Sequence, residues 1–185
     1  MKKKALIIAL LFAAGFTSNA VLAADGTITF TGSISSKTCQ INGSAPGSGS
    51  HDIDKELPSI SADSLATPGR TDGSTGFHID IGATGDSGCP DGTRTQISFD
   101  PLSPLINPVT GNLKNTGTAT NVEVQIFDLN GGYSQMHLFN NPVSREVVVV
   151  GNKARLDFTA QYIATGGPVT GGSVITSVLY SVVMN

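Results

Sequence analysis

The chain has 185 residues, of which 14% are charged and 6% aromatic, and its formal net charge is −3 at pH 7. The only basic cluster lies within the first four residues, so the composition argues against nucleic acid or an anionic membrane surface as a partner. The length suits one domain with a sizeable hydrophobic core.

The first 23 residues have the pattern of a secretion signal. Residues 2–4 are lysines, residues 5–14 form an apolar run without a charge, and residues 21–23 (Val-Leu-Ala) supply a small-residue cleavage site. The apolar run is shorter than the ~20 residues that a membrane span needs, which disfavours the alternative of an uncleaved anchor. We therefore predict a signal peptide over 1–23. The remaining chain then keeps eight of the eleven basic residues against 14 acidic ones.

The segment that follows the signal reads GTITFTG (26–32). Ile28 and Phe30 alternate with threonines between Gly26 and Gly32, which predicts a half-buried strand. The periodicity alone does not decide whether this strand pairs within its own sheet or in the sheet of another molecule.

Six later segments also alternate with period two and predict strands, whereas no amphipathic helix of useful length is predicted. Residues rich in glycine, proline, serine and aspartate fill the intervening loops. This pattern is typical of an all-β sandwich or barrel. The last segment places Val178, Tyr180, Val182 and Met184 on one face. The predicted strands are 76–81, 95–99, 121–127, 145–150, 155–163 and 173–184.

Cys39 and Cys89 are the two cysteines of the chain and lie fifty residues apart. In an exported protein such a pair most simply forms one disulfide. A metal site is the alternative, but no CxxC spacing supports it. Closing a loop of this length stabilises by roughly 3–4.5 kcal/mol in the chain-entropy model.

Two constellations could carry chemistry. Residues 85–88 read GDSG, as around the nucleophile of trypsin-like proteases, but a suitable histidine base and orienting acid are missing, so we interpret this stretch as a turn. His51, Asp52, Asp54 and Glu56 could suggest a metal cluster but lack the glycine hinge and ligand order of a calcium loop. We interpret them as a polar strand face and His78 as an outward strand residue. We expect no enzymatic activity, metal or cofactor.

Taken along its length, the sequence resembles chaperone–usher fimbrial subunits, similar to the major pilins of type 1-like fimbriae. The resemblance is carried by DGTITFTGSISSKTC (25–39), ELPSISADSL (56–65), ATNVEVQIFD (119–128) and LDFTAQYIATG (156–166). It continues with Gly172, fourteenth from the C-terminus, and the alternating strand that follows. Two departures are present: Met184 stands where the family has a penultimate aromatic residue, and GATGDSG (82–88) separates Ile81 from Cys89.

The resemblance implies an incomplete immunoglobulin-like sandwich that lacks its last strand, with an N-terminal donor extension over 24–35 and a pilin domain over 36–185. Donor residues would be Gly26, Ile28, Phe30 and Gly32. The acceptor groove would be bordered by a strand carrying Gly172, Val178, Tyr180, Val182 and Met184. A periplasmic chaperone would fill the groove first, and at the outer-membrane usher a neighbouring subunit's extension would replace it.

The resemblance implies that the chain is a structural subunit of a surface fimbria on a Gram-negative bacterium. It would be exported through the periplasm and would polymerise with identical or related pilin subunits. A tip adhesin would stand at the end of the fibre. Three alternatives stay open at this point. They are a minor adaptor or terminator subunit, a tip adhesin or a subunit associated with one, and a self-contained secreted sandwich module.

Overall fold

The computed structural model describes residues 38–45 and 51–185. Within these ranges the chain forms one short 3₁₀ helix and eight β-strands, and no helix there is long and apolar enough to cross a membrane. The helix is Ala62–Leu65, and the strands are β1 Thr71–Gly82, β2 Arg94–Phe99, β3 Leu113–Lys114, β4 Val122–Asp128, β5 Ser134–Gln135, β6 Val147–Val148, β7 Lys153–Ala164 and β8 Tyr180–Met184.

The strands form two antiparallel sheets, which confirms the all-β class. The larger sheet has the order β1-β7-β4-β3, and β5 also pairs with β4. The smaller sheet has the order β6-β2-β8, so β8 lies at its edge. In the long β1–β7 pairing Phe77 lies opposite Phe158 and Ile81 opposite Ala154. In the smaller sheet Thr95 lies opposite Met184 and Phe99 opposite Tyr180.

The core between the sheets is made by the alternate apolar residues that the sequence predicted. Ile79 and Ile81 of β1, Ile97 and Phe99 of β2, and Leu156 and Phe158 of β7 are all buried. The Phe158 ring stacks on Phe77 of its own sheet at 5.2 Å between centroids and meets the edge of Phe99 from the other sheet at 5.9 Å. Full burial of one such side chain stabilises by ~1.5–3 kcal/mol.

The disulfide is formed by the predicted pair, Cys39 and Cys89, and both residues are fully buried. The loop over 82–88, whose local geometry the sequence left open, is a compact turn. The Asp86 carboxylate accepts hydrogen bonds from the backbone N–H groups of Gln40 and Gly88, each at 3.0 Å. A side chain at Gly82 would collide with the carbonyl oxygen of Asn152 and the sulfur of Cys89. Gly82 is therefore required where the chain passes the disulfide.

Two predicted strands are shorter than expected. In 145–150 only Val147–Val148 pairs as a strand, because the Arg145 N–H donates to the Asp128 carboxylate at 2.6 Å and leaves the ladder. In 173–184 only Tyr180–Met184 is a strand. The preceding residues are held by loop groups instead: the carbonyl of Ser173 accepts from the N–H of Ala119, and the carbonyl of Ile175 accepts from the N–H of Thr116.

Strand β4 is buried on both faces, whereas only one apolar face was predicted. Val122, Val124 and Ile126 contribute to the core as expected. On the other face Glu123 is 7% exposed, and its carboxylate accepts from the amides of Asn107 and Asn112 and the hydroxyl of Thr110. These three contacts measure 2.6, 3.0 and 2.8 Å. The buried carboxylate thereby fixes the irregular loop before β3.

Candidate functional site

An open groove of about 870 Å³ lies beside β8, whose outer edge pairs with no other strand among the described residues. Two segments of the chain supply most of its lining, residues 51–57 (all but Glu56) and residues 176–182, and we call them its two walls. Seven residues in extended conformation would span about 23 Å, which is an ordinary length for one β-strand. Its floor is made by buried and half-buried apolar residues of both sheets: Phe77, Ile79, Phe99, Leu113, Val124, Ile126 and Ala160.

The β8 wall keeps the alternation expected from the sequence. Val178, Tyr180 and Val182 are half-buried and line the groove, while Ser177, Leu179 and Ser181 between them are exposed. Met184 continues the same row and packs against the core beyond the groove. The sequence therefore placed the apolar face of this segment correctly, although hydrogen bonding as a strand begins only at Tyr180.

Gly172 lies apart from these residues. It borders a separate cavity of about 100 Å³ beside the 3₁₀ helix. A Cβ at this position would lie 2.5 Å from the backbone nitrogen of Ala119, so a side chain would push two backbone segments apart. The requirement for glycine is thus explained by close packing of the approach to β8, and the residue is outside the groove itself.

The opposite wall, residues 51–57, is not part of either sheet. Ile53 and Leu57 pack against the core and anchor it. Between Ile53 and Ile60 the backbone makes no hydrogen bond to the backbone of another described residue. Backbone N–H and C=O groups are strong and normally paired, so this wall, like the free edge of β8, has the capacity to pair with an added strand.

One hydrogen bond ties the two walls together. The Tyr180 hydroxyl donates to the carbonyl oxygen of His51 at 2.6 Å. Burial raises the pKa of Tyr180, and the nearby Asp52 carboxylate raises it further. The phenol therefore stays protonated as a donor at neutral pH.

The sequence did not identify residues 51–57 as a wall of the site. From the sequence alone this stretch is interpreted as a polar strand face, because Asp52, Asp54 and Glu56 occupy alternate positions. The positions that mark the wall are the odd-numbered ones, where the apolar residues Ile53 and Leu57 lie on either side of Lys55. His51, Asp52 and Asp54 do line the groove, and no group of three metal-ligating side chains is found among the described residues.

The remaining sequence candidates have structural roles. The GDSG stretch is a turn in which Gly85 has φ +79° and the Asp86 N–H donates to the carbonyl of Ala83. His78 is on the outer face of β1, where its Nδ1 is 2.6 Å from the Arg155 guanidinium. The predicted donor residues Gly26, Ile28, Phe30 and Gly32 lie outside the described residues.

The fold is similar to that of a solved pilus structure. It superimposes on a subunit from a chaperone–usher pilus with a TM-score of 0.57, covering 89% of this chain and 98% of that one at 15% sequence identity. The two chains therefore share the same all-β fold. No protein-family model matches the sequence.

Two sequence relatives define the family. The F17 fimbrial protein of Escherichia coli is 33% identical over 98% of both chains. The major fimbrial subunit SMF-1 of Stenotrophomonas maltophilia is 34% identical over 88% of this chain and 94% of its own. The chain belongs to the family of fimbrial subunits. It is a structural component of a surface fimbria and not an enzyme.

Proposed function

We propose that this chain polymerises by donor-strand exchange, in which the segment 26–32 of one copy fills the groove of the next. The observation that carries the proposal is the groove itself. One position in the sandwich, between the free edge of β8 and residues 51–57, has two hydrogen-bonding walls and an apolar floor with no strand between them among the described residues.

The proposed occupant matches this position in pattern. Ile28 and Phe30 would cover the apolar floor, each gaining roughly 1.5–3 kcal/mol on full burial. Ladder hydrogen bonds to the walls would add ~0.5–1.5 kcal/mol each. Gly26 and Gly32 continue the same face at either end, so the two bulky residues occupy the middle of the segment.

An unfilled groove would leave apolar residues and a strand edge without a covering strand, which together favour aggregation. We infer that a periplasmic chaperone fills the groove after export, pairing along Val178, Tyr180 and Val182. An outer-membrane usher would then be the site where the chaperone is exchanged for the next subunit. A tip adhesin would complete the fibre. Exchange between two folded complexes needs no external energy source.

Expression of the full chain with and without a matching chaperone tests the proposal. With the chaperone and usher present, electron microscopy should show fibres, and antibody labelling along them should be uniform. Without the chaperone the chain should be degraded or aggregated. A well-behaved monomer without the chaperone would contradict the proposal, because a complete sandwich needs no borrowed strand.

A further inference from the structure

The groove contains two polar groups that have no partner. Among the described residues, four side-chain atoms are buried without a hydrogen bond: both ring nitrogens of His51 and the hydroxyls of Thr95 and Thr176. His51 and Thr176 line the groove, one in each wall, whereas Thr95 lies in β2 and does not line it. The unsatisfied polar atoms are therefore concentrated at the site where a strand is missing.

Thr176 belongs to the row of side chains that faces the floor. From Val174 to Val182 every second residue is half-buried and the residues between them are exposed. Thr176 is one of the half-buried residues. It is the polar member of a row that otherwise presents Val174, Val178 and Val182, with the Tyr180 hydroxyl already bonded to His51. In the opposite wall the His51 backbone is held by that bond while its ring nitrogens remain unpaired.

Buried polar groups are normally hydrogen-bonded, and leaving one without a partner is unfavourable. An occupant that brings a hydrogen-bonding group beside His51 and Thr176 removes this cost, whereas an occupant that is apolar throughout retains it. Segment 24–35 suits the first case. On the face that carries Ile28 and Phe30, it leaves its backbone N–H and C=O groups uncovered by side chains at Gly26 and Gly32.

We propose that His51 and Thr176 are specificity-determining residues of the groove. They select a strand that offers a hydrogen-bonding group to each wall, and they disfavour strands with the same apolar bulk but no such groups. This inference rests on the proposed function, since it concerns the choice among strands that fill the groove.

The experiment uses full-length chains assembled into fibres by the cell and measures the guanidinium concentration at which half of the fibre mass dissociates into subunits. Thr176→Val removes the hydroxyl with little change of shape, so its fibres should dissociate at a lower concentration than wild-type fibres. Thr176→Ser keeps the hydroxyl and should restore the wild-type midpoint. His51→Phe should shift the midpoint in the same direction as Thr176→Val.

Thr95→Val is the matched control, because it removes an equally buried and unpaired hydroxyl that lies outside the groove. Its fibres should dissociate at the wild-type concentration or a higher one. If Thr176→Val fibres behave like those of Thr95→Val, the hydroxyl is not used by the occupying strand and the inference is overturned.

If Thr176→Val yields no fibres, the amount of folded subunit in the periplasm shows whether folding or strand capture is lost. Normal amounts of folded subunit held by the chaperone would support the inference, because folding is intact and only strand capture is lost. Degradation of the subunit would assign Thr176 to folding and overturn it. Absence of fibres from the wild-type chain would overturn the proposed function as well.

Discussion

The Tyr180 hydroxyl donates to the carbonyl oxygen of His51 at 2.6 Å, so a side chain from β8 reaches the opposite wall of the groove. Because β8 belongs to a sheet and residues 51–57 do not, this bond joins a fixed wall to one that is anchored mainly by Ile53 and Leu57. Tyr180 thus contributes both apolar surface and a polar link to the site.

Replacing Phe30 by aspartate should prevent polymerisation without preventing folding. A carboxylate placed on the apolar floor of a neighbour's groove would be buried without a partner, which is strongly unfavourable. The expected product is a stable subunit held by its chaperone, with no fibres by electron microscopy. Thr29→Asp is the control, because its side chain has the opposite parity and should permit assembly. Normal fibres from Phe30→Asp would refute the donor assignment.

Replacing Tyr180 by aspartate should abolish chaperone capture. The charge would lie in the groove beside Val178 and Val182, where the capturing strand is expected to pack. The subunit should then be degraded, which immunoblotting of periplasmic extracts would measure. Ser181→Asp, at the adjacent exposed position, should leave capture intact. Accumulation of Tyr180→Asp as a soluble monomer would show that the groove is not the capture site.

Tyr180→Phe should make stability less sensitive to alkaline pH. Burial raises the pKa of Tyr180 in the folded chain, whereas in the unfolded chain the phenol ionises near pH ~10. Below that pH both states are neutral. Above it the unfolded state loses its proton first, so the free energy of unfolding falls as pH rises.

Denaturant unfolding of the subunit in its complex with the chaperone, between roughly pH 8 and pH 11, would check this prediction. The decline above pH ~10 should be shallower in Tyr180→Phe but not absent, because burial also raises the pKa of Tyr162. At neutral pH the variant should lose about 0.5–1.5 kcal/mol with the His51 hydrogen bond. An identical alkaline decline in the two proteins would contradict the assignment.

Cys39→Ser should lower the yield of subunit before it affects assembly. The disulfide closes a loop with a sequence separation of 50, and its removal should cost ~3–4.5 kcal/mol in the chain-entropy model. Pulse-chase labelling in the periplasm would follow subunit decay. The double variant Cys39→Ser/Cys89→Ser should decay at a similar rate. A slower decay of the double variant would point to a harmful free thiol instead of a lost cross-link.

Glu123→Ala should destabilise the subunit by about 2–4 kcal/mol, because it leaves the buried amide of Asn112 and the half-buried donors of Asn107 and Thr110 unpaired. Glu146→Ala is the contrasting variant. Glu146 pairs with Arg94 at 3.2 Å near the surface, and the loss of such a pair should cost only ~0–1 kcal/mol. Urea unfolding of the two variants, each held in its complex with the chaperone, would compare them. Equal losses would show that the network around Glu123 does not hold the loop.

The sequence predicted the parts of the fold that depend on local alternation. The buried faces of β1, β2 and β7 follow from residues such as Ile79, Ile97 and Leu156, which recur at every second position. The limits of the shorter strands depended on tertiary contacts that no local pattern contains. The Asp128 carboxylate that accepts from Arg145, for example, lies 17 residues away in sequence.

The candidate site was half predictable for the same reason. The β8 row is a strong local pattern, and its apolar side chains were identified. The wall formed by residues 51–57 has only Ile53 and Leu57 to mark it, and it becomes a wall only because the fold brings it beside Tyr180. The unpaired state of Thr176 likewise could not be read from the sequence, since a hydrogen-bond partner is a property of the surroundings.

The groove and the segment 26–32 belong to different parts of one chain, and this has a consequence for the assembly. Under the proposed exchange, contacts between copies are head-to-tail and not two-fold symmetric, so the assembly does not close on itself. Such a filament has two unlike ends, one with a vacant slot and one with an unused strand. Growth at an end then stops when a molecule binds there that has no groove or strand of its own for the next subunit.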